Sequence, residues 1–233
     1  MIISEQTAVG DIARTLPSSM RIFQQHGIDF CCGGRRSLGA ACRDQGVAFA
    51  DIVHALAASE EAPPDARDWT REPLHVLISH IIATYHEPLR AELPRLESMA
   101  AKVVQAHGGK DARLLRVETV IRELASDLLQ HMMKEERVLF PALRVLERNG
   151  QSAAAIAAPI AAMEHEHDDA GRLLAELRTI TDDYTSPPWA CGTLRALYQG
   201  LSELESAMHV HVHLENNILF PRALAVPAAH AQG

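Results

Sequence analysis

The chain has 233 residues, 47% of them hydrophobic, which is enough for one large domain and a small one. Its formal charge of -8 argues against a nucleic-acid partner, because Lys and Arg are nowhere concentrated beyond Arg35-Arg36. No apolar run approaches the ~18 residues of a membrane-spanning helix, and the amino terminus lacks the pattern of a secretory signal. We expect a cytoplasmic protein with no nucleic-acid or membrane partner, and the scarcity of aromatic residues favours an all-α fold.

Residues 1–58 contain short helical patterns separated by turn signals. Ser37 stands where it could cap one of these helices. This region is predicted to be a small helical domain, and it carries the adjacent cysteines Cys31 and Cys32. Residues 59–70 are polar and proline-bearing, which predicts a linker.

After the linker the pattern changes to long amphipathic helices, placed at 74–106, 112–148, 153–180 and 192–224. Pro88 and Pro94 should kink the first of them, and Pro141 and Pro221 should bend two others at corresponding places. Together these helices predict a four-helix bundle over residues 71–226.

A pattern typical of metal ligands occurs twice in these helices. His131 and Glu135 stand four residues apart just before a Val-Leu-Phe-Pro sequence, and His211 and Glu215 repeat that spacing before Ile-Leu-Phe-Pro. On a helix, residues at this spacing lie on one face about one turn apart. Each pair is therefore predicted to present its imidazole and its carboxylate in the same direction.

A single histidine precedes each copy at a closely matched distance: His86 before the first and His167 before the second. Repetition of this kind indicates duplicated supersecondary units. Four imidazoles and two carboxylates suit a two-metal site, with iron or manganese preferred and zinc as an alternative. The competing interpretation is an ordinary ion pair on a solvated helix face, worth about 0.2–0.5 kcal/mol. The apolar residues that flank both pairs favour buried ligands instead.

The remaining histidines are sorted by helical phase. At ~100° per residue, three of them point away from the repeated ligand positions: His165, His209 and His213. Asp127 lies one turn before His131 and is the preferred candidate for orienting a ligand, with Glu136 and Glu166 as weaker candidates.

Cys31 and Cys32 are followed by two glycines and by Arg35-Arg36. A disulfide between neighbours is strained, so reduced thiols are expected. The glycines would allow another molecule to approach closely, and the arginines should favour the thiolate. The alternative, which the residues alone support equally, is a buried small side chain at a helix end. Cys42 and Cys191 are expected to be packing residues.

The chain resembles the bacterial repair-of-iron-centres family over nearly its whole length, at Asp29-Phe30-Cys31-Cys32-Gly33-Gly34, Tyr85-His86, His131-Met132-Met133-Lys134-Glu135-Glu136, Glu166-His167-Asp168 and His211-Val212-His213-Leu214-Glu215-Asn216-Asn217. The resemblance implies a hemerythrin-like four-helix bundle behind the small cysteine-bearing domain. It also implies a non-haem di-iron centre held by His86, His131, Glu135, His167, His211 and Glu215. In that family the two glutamates bridge the irons, and an oxo group completes the bridge.

The resemblance further implies repair of iron–sulfur clusters damaged by nitrosative or oxidative stress, through donation of iron to the damaged proteins. Imidazoles and carboxylates hold iron less tightly than a cage of thiolates would. Cys31 and Cys32, expected on a flexible loop tethered by the linker, could receive that iron, contact the client or supply electrons. The alternatives are a di-iron reductase of nitric oxide or peroxide, and a module that binds oxygen or nitric oxide. A homodimer is compatible with each of these functions.

Overall fold

The structure is a computed structural model that describes residues 2–59, 67–149 and 154–226. These residues form the helices α1 (Val9–Thr15), α2 (Ser19–Gln25), α3 (Leu38–Gln45), α4 (Phe49–Ala58), α5 (Leu74–Ile81), α6 (Glu87–His107), α7 (Arg113–Lys134), α8 (Phe140–Asn149), α9 (Ala154–Ile180), α10 (Gly192–Leu214) and α11 (Phe220–Leu224). They contain no β-strand, and the predicted all-α class is confirmed. Within this part of the chain, no helix combines the length and apolar character that crossing a membrane requires.

The long helices lie close to their predicted positions. The predicted ends coincide with the observed ones at both ends of α10–α11, at the start of α5 and at the end of α9, and the other four differ by one residue. Most of the predicted linker, residues 60–66, falls outside the described residues.

The chain divides into two compact units, of which the first comprises the described parts of Met1–Ile78, Val145–Ala154 and His209–Gly233. Helices α1 to α4 enclose a core of their own, which includes Val9, Ile12, Phe23, Phe30, Leu38, Cys42, Ile52 and Leu56. Ser37 caps α3 as predicted, because its hydroxyl accepts a hydrogen bond from the backbone N–H of Ala40. Cys42 is a packing residue in this core, also as predicted.

Two further contacts organise the rest of the first unit. The carboxylate of Glu147 accepts hydrogen bonds from the backbone N–H groups of Leu74 and His75 at the start of α5, where a helix favours negative charge. The guanidinium of Arg222 donates to the carbonyl oxygens of Trp69 and Glu72. Charged side chains therefore hold the start of α5 and connect α11 to the segment before α5.

The second unit comprises Ser79–Arg144 and the described part of Ala155–Met208. Helices α6 and α7 pack against each other through buried apolar side chains, including Leu89, Leu93, Leu96, Leu114, Val117, Ile121, Leu124 and Leu128. Arg116 pairs with Glu176 between α7 and α9, and Arg178 pairs with Glu205 between α9 and α10. A packed apolar interface with charged pairs at its margin holds these helices in register.

The connection after α9 contains three successive residues in the left-handed conformation: Asp182, Asp183 and Tyr184, with φ of 52°, 57° and 54°. Non-glycine residues adopt this conformation at a cost of about 1–2 kcal/mol each. Arg178 offsets part of this cost, because it pairs with Asp183 and lies 5.5 Å from the ring centroid of Tyr184.

Candidate metal centre

Three π-helical turns interrupt the long helices where predicted ligands lie: Ile82–His86, Glu135–Leu139 and Glu215–Leu219. After each turn, a backbone N–H bonds to the carbonyl five residues earlier, as Glu87 does to Ile82. A proline comes next in all three: Pro88, Pro141 and Pro221. Proline has no N–H to continue the α-helical ladder, and a π turn, which is frequent at functional sites, precedes each of these three. Pro94, the other proline expected to kink the first long helix, lies inside the α-helix α6.

The second unit brings four of the predicted ligands together. One carboxylate oxygen of Glu135 lies 3.4 Å from Nε2 of His86 and 3.4 Å from Nε2 of His131. The Nε2 atoms of His131 and His167 are 3.0 Å apart. All four side chains are buried, with at most 3% of any residue exposed. One oxygen of Glu135 therefore faces two imidazoles, which is the arrangement expected of a carboxylate that bridges two cations.

The first unit contains the other predicted pair. Nε2 of His211 lies 3.2 Å from a carboxylate oxygen of Glu215, and both residues are buried. This pair repeats the arrangement of His131 and Glu135, including the π turn that begins at the glutamate. The predicted helical spacing thus places imidazole beside carboxylate in both copies.

Outer carboxylates orient two of the imidazoles. Nδ1 of His86 lies 2.8 Å from Glu136, which also accepts a hydrogen bond from Arg90. Because Nδ1–H donates to that carboxylate, Nε2 carries the lone pair of the ring, and it faces Glu135. Burial alone would raise the pKa of Glu136, but the hydrogen bonds from Arg90 and His86 lower it below its ordinary value.

His131 is held in the same way, since its Nδ1 lies 2.9 Å from Glu166, which also pairs with Lys134. The sequence ranked Glu136 and Glu166 behind Asp127, yet these two carboxylates make the contacts with the imidazoles of the predicted ligands His86 and His131. Asp127 instead lines a cavity of about 210 Å³ beside His131, together with Gln130, Lys134, Glu166, His167 and Asp169. This polar cavity gives small molecules and ions an approach to two of the predicted ligands.

The three histidines predicted to point away from the ligand positions have other surroundings. The side chain of His165 is 76% exposed. His209 and His213 both place their rings edge-on to Phe30, with centroid distances of 6.0 and 5.6 Å. Burial lowers the pKa of His213 to about 4, so this imidazole is neutral near pH 7. Within the first unit, the two histidines therefore pack against the loop that carries Phe30.

The cysteine-bearing loop, which was expected to be flexible and tethered by the linker, is hydrogen-bonded within the first unit. Asn217, two residues after Glu215, donates hydrogen bonds to the carbonyl oxygens of Phe30 and Cys31. Gly34 makes room for this amide, since a Cβ at Gly34 would lie 2.5 Å from Oδ1 of Asn217. Asn217 belongs to the motif that carries the family resemblance, but the sequence assigned it no role.

Cys31 and Cys32 are not joined by a disulfide, and their sulfur atoms are 3.8 Å apart. Cys31 is only 5% exposed, and Cys32 is half-buried. The hydrogen bond to Cys32, burial and the nearby Asp29 carboxylate raise the pKa of Cys31 well above its usual value. The prediction that Arg35 and Arg36 favour the thiolate is therefore wrong for Cys31.

Cys191 has the opposite environment. Its sulfur accepts a hydrogen bond from the backbone N–H of Leu194 in the first turn of α10, and His107 lies beside it. These two groups lower the pKa of Cys191 to about 7, and the residue is half-buried. It was expected to be a packing residue, but its surroundings favour a reactive thiolate.

We expect Cys191 to be the thiol that iodoacetamide modifies fastest near neutral pH. Because its pKa is lowered, the rate should rise through a midpoint near pH 7, whereas an unperturbed thiol has a midpoint near ~8.5. Peptide mapping after timed alkylation measures this. His107→Gln should move the midpoint to higher pH, and preferential labelling of Cys31 would contradict the assignment.

The chain matches two family models. The model described as hemerythrin HHE cation binding domain matches residues 77–223, which include all six predicted ligands. A second model, ScdA_N, described as a domain of unknown function, matches residues 5–60. The buried imidazoles and carboxylates thus lie within a cation-binding domain.

The chain is also similar to curated bacterial proteins over almost all of its length. It is 40% identical to the iron-sulfur cluster repair protein YtfE of Musicola paradisiaca over 219 residues, covering 94% of this chain and 96% of the relative. The proteins of the same name from Edwardsiella ictaluri and Cronobacter sakazakii are 43% and 42% identical, each covering 93% of this chain and 96% of the relative.

Proposed function

This chain belongs to the family of the iron–sulfur cluster repair proteins that it matches, with a hemerythrin HHE cation binding domain, and we propose that it repairs damaged iron–sulfur clusters by donating iron. The predicted repair-of-iron-centres resemblance is confirmed, as is the hemerythrin-like bundle preceded by a small helical domain. The observation that carries the function is the buried set of imidazole and carboxylate donors in this domain.

We propose that two non-haem irons are held by His86, His131, Glu135, His167, His211 and Glu215, with an oxo group between them. The donor chemistry fits, because imidazole and carboxylate suit iron. In the second unit one Glu135 oxygen faces Nε2 of both His86 and His131. The duplicated sequence motif and the matching His211–Glu215 pair support a symmetric second half.

The proposed ligands of this chain would bind iron loosely enough for it to be released to another protein. When bound, iron supplies the ion that a damaged cluster has lost, together with the capacity to bind small diatomic molecules. Glu136 and Glu166 hold the imidazoles of His86 and His131 in position. Since nitrogen and oxygen ligands bind iron less tightly than thiolates, transfer to the cysteines of a damaged cluster is downhill.

We propose Cys31 and Cys32 as the groups that carry iron or electrons to the client. Their loop is joined through Asn217 to the turn that contains Glu215, which supports a connection between thiols and metal ligands. We also propose residues 1–58 and 71–226 as separate functional domains joined by residues 59–70. The two family matches at 5–60 and 77–223 support this division.

Damaged iron–sulfur proteins are the proposed partners, and the cytoplasm is the proposed location. Nitric oxide is proposed as a small ligand, which the cavity beside His131 and His167 supports. We further propose that two copies associate. The exposed apolar side chains of Leu129, Met133 and Val138 support such a contact.

The function is tested by loading the protein with ⁵⁷Fe and mixing it with a dehydratase whose cluster nitric oxide has damaged. We expect the dehydratase to regain activity and to acquire ⁵⁷Fe. Cys31→Ser/Cys32→Ser, compared at equal iron loading with the control Cys191→Ser, should reactivate more slowly. Reactivation without ⁵⁷Fe in the client would overturn iron donation. Sustained nitric oxide consumption with a reductant, without transfer, would favour the reductase.

A further inference from the structure

The cysteine-bearing loop contains a second group of side chains with metal-ligating atoms, in addition to the imidazole and carboxylate donors. Asp29, Cys31 and Cys32 each offer one ligand atom, and these three atoms lie within 4.8 Å of one another. The two sulfurs are 3.8 Å apart, and Sγ of Cys31 is 3.3 Å from Oδ1 of Asp29. Two thiols and a carboxylate form a donor set that is softer than the one in the bundle.

These distances are close to those of a tetrahedral metal site. Bonds of about 2.3 Å from a metal to two thiolates place the sulfurs about 3.8 Å apart, and an oxygen at about 2.0 Å lies about 3.5 Å from each sulfur. The spacing of the two sulfurs matches the first value, and the Asp29 carboxylate, with Oδ1 at 3.3 Å from Sγ of Cys31, lies close enough to supply the oxygen. The side chains would need little rearrangement to bind an ion.

Backbone contacts hold this arrangement in place. Oδ1 of Asp29 accepts hydrogen bonds from the N–H groups of Cys31 and Cys32, and Oδ2 accepts one from Gly33. The three backbone N–H groups use three of the four lone pairs of the carboxylate, and the fourth, on Oδ2, remains for a ligand bond. On the other side, Asn217 anchors the carbonyl of Cys31. The donors are therefore positioned before any ion arrives.

The electrostatics of the loop favour a cation. Cys31, Cys32 and Asp29 would all be negatively charged if both thiols ionised, and their proximity keeps the pKa of Cys31 raised. A divalent ion reverses this effect, because its charge stabilises thiolates that would otherwise repel each other.

We propose that Asp29, Cys31 and Cys32 form a second cation site, which takes one borderline divalent ion of the Fe²⁺, Co²⁺ or Zn²⁺ class. Two metal–sulfur bonds and one metal–oxygen bond form, and each thiol releases its proton to solvent. No electron is transferred. The fourth position is left for water or for a thiolate of the client. That the bound ion is iron on its way to a client rests on the proposed function, whereas the existence of the site does not.

The test is a titration of the reduced, metal-free full chain with Co²⁺ under anaerobic conditions. Thiolate ligation to cobalt gives a near-ultraviolet charge-transfer band, whereas the imidazole and carboxylate donors of the bundle contain no sulfur. We expect this band at one equivalent per chain in the unaltered protein and in the matched control Cys191→Ser. Absence of the band in the unaltered protein would overturn the proposal.

Variants of the loop sharpen the test. Cys31→Ser/Cys32→Ser should abolish the band while binding of cobalt to the bundle persists. Cys32→Ser alone, at a half-buried position, should weaken it without disturbing the core. Asp29→Asn should weaken cobalt binding by roughly tenfold or more, because an amide oxygen is a poorer ligand. A band of unchanged intensity in the double serine variant would refute the site.

The outcome is separable from that of the repair assay. A protein that shows the cobalt band but reactivates no client supports the loop site while contradicting the proposed function. A protein that reactivates clients but lacks the band retains the proposed function and overturns the loop site alone.

Discussion

Glu135→Ala/Glu215→Ala should leave the purified protein with almost none of its iron. Glu135 is the carboxylate that faces the imidazoles of both His86 and His131, and Glu215 makes the same contact with His211. Removing both takes away the proposed bridging ligands and the negative charge that offsets two buried cations. Iron per chain, measured by elemental analysis, should fall from about two to near zero by the two-metal assignment.

The control for this variant is Glu123→Ala/His165→Ala, which removes one carboxylate and one imidazole from exposed positions. It should retain its iron and its visible absorption. Retention of both irons in the Glu135 and Glu215 variant would contradict the ligand assignment. Circular dichroism should show that both variants remain helical.

Gly34→Ala should destabilise the protein and expose its buried thiol. An added Cβ would lie 2.5 Å from Oδ1 of Asn217 and 3.0 Å from the carbonyl oxygen of Phe30. Overpacking of this kind typically costs about 1–3 kcal/mol in the free energy of unfolding. Because the same amide holds the carbonyl of Cys31, the loop should also loosen. Urea unfolding and the rate of Cys31 alkylation measure the two effects.

Gly109→Ala is the matched control, since a Cβ there would meet no atom within 4 Å. It should unfold at the same urea concentration as the unaltered protein and leave Cys31 protected. If Gly34→Ala behaved in the same way as this control, the contact between the loop and Asn217 would not contribute to stability.

Much of the centre could be predicted because its determinants are local. The spacing of His131 and Glu135 fixes their common helix face whatever surrounds them, and the second copy repeats it. The helix ends followed from apolar periodicity in the same way. The π turns could not be predicted in this way. One extra residue in a helical turn hardly alters the spacing of apolar residues, because that spacing already varies between three and four residues.

Contacts between helices were the main source of error. Asp127 shares a helix face with His131, yet the carboxylate that reaches this imidazole comes from α9 as Glu166. Helical phase describes one helix at a time and cannot rank a residue on a neighbouring helix. The expected thiolate at Cys31 was wrong because the Asp29 contact depends on how the loop folds back, and the 5% exposure of Cys31 agrees with the alternative of a buried side chain.

The anchoring of the cysteine loop by Asn217 also has a consequence for the order of events during synthesis. The amide that secures Phe30 lies 187 positions later in the chain, so the amino-terminal helices leave the ribosome long before their anchor. They can form their own core early, but contacts at this separation close late. A newly made chain therefore passes through a period in which its two adjacent thiols lack that anchor, and translation of α10 and the turn after it ends this period.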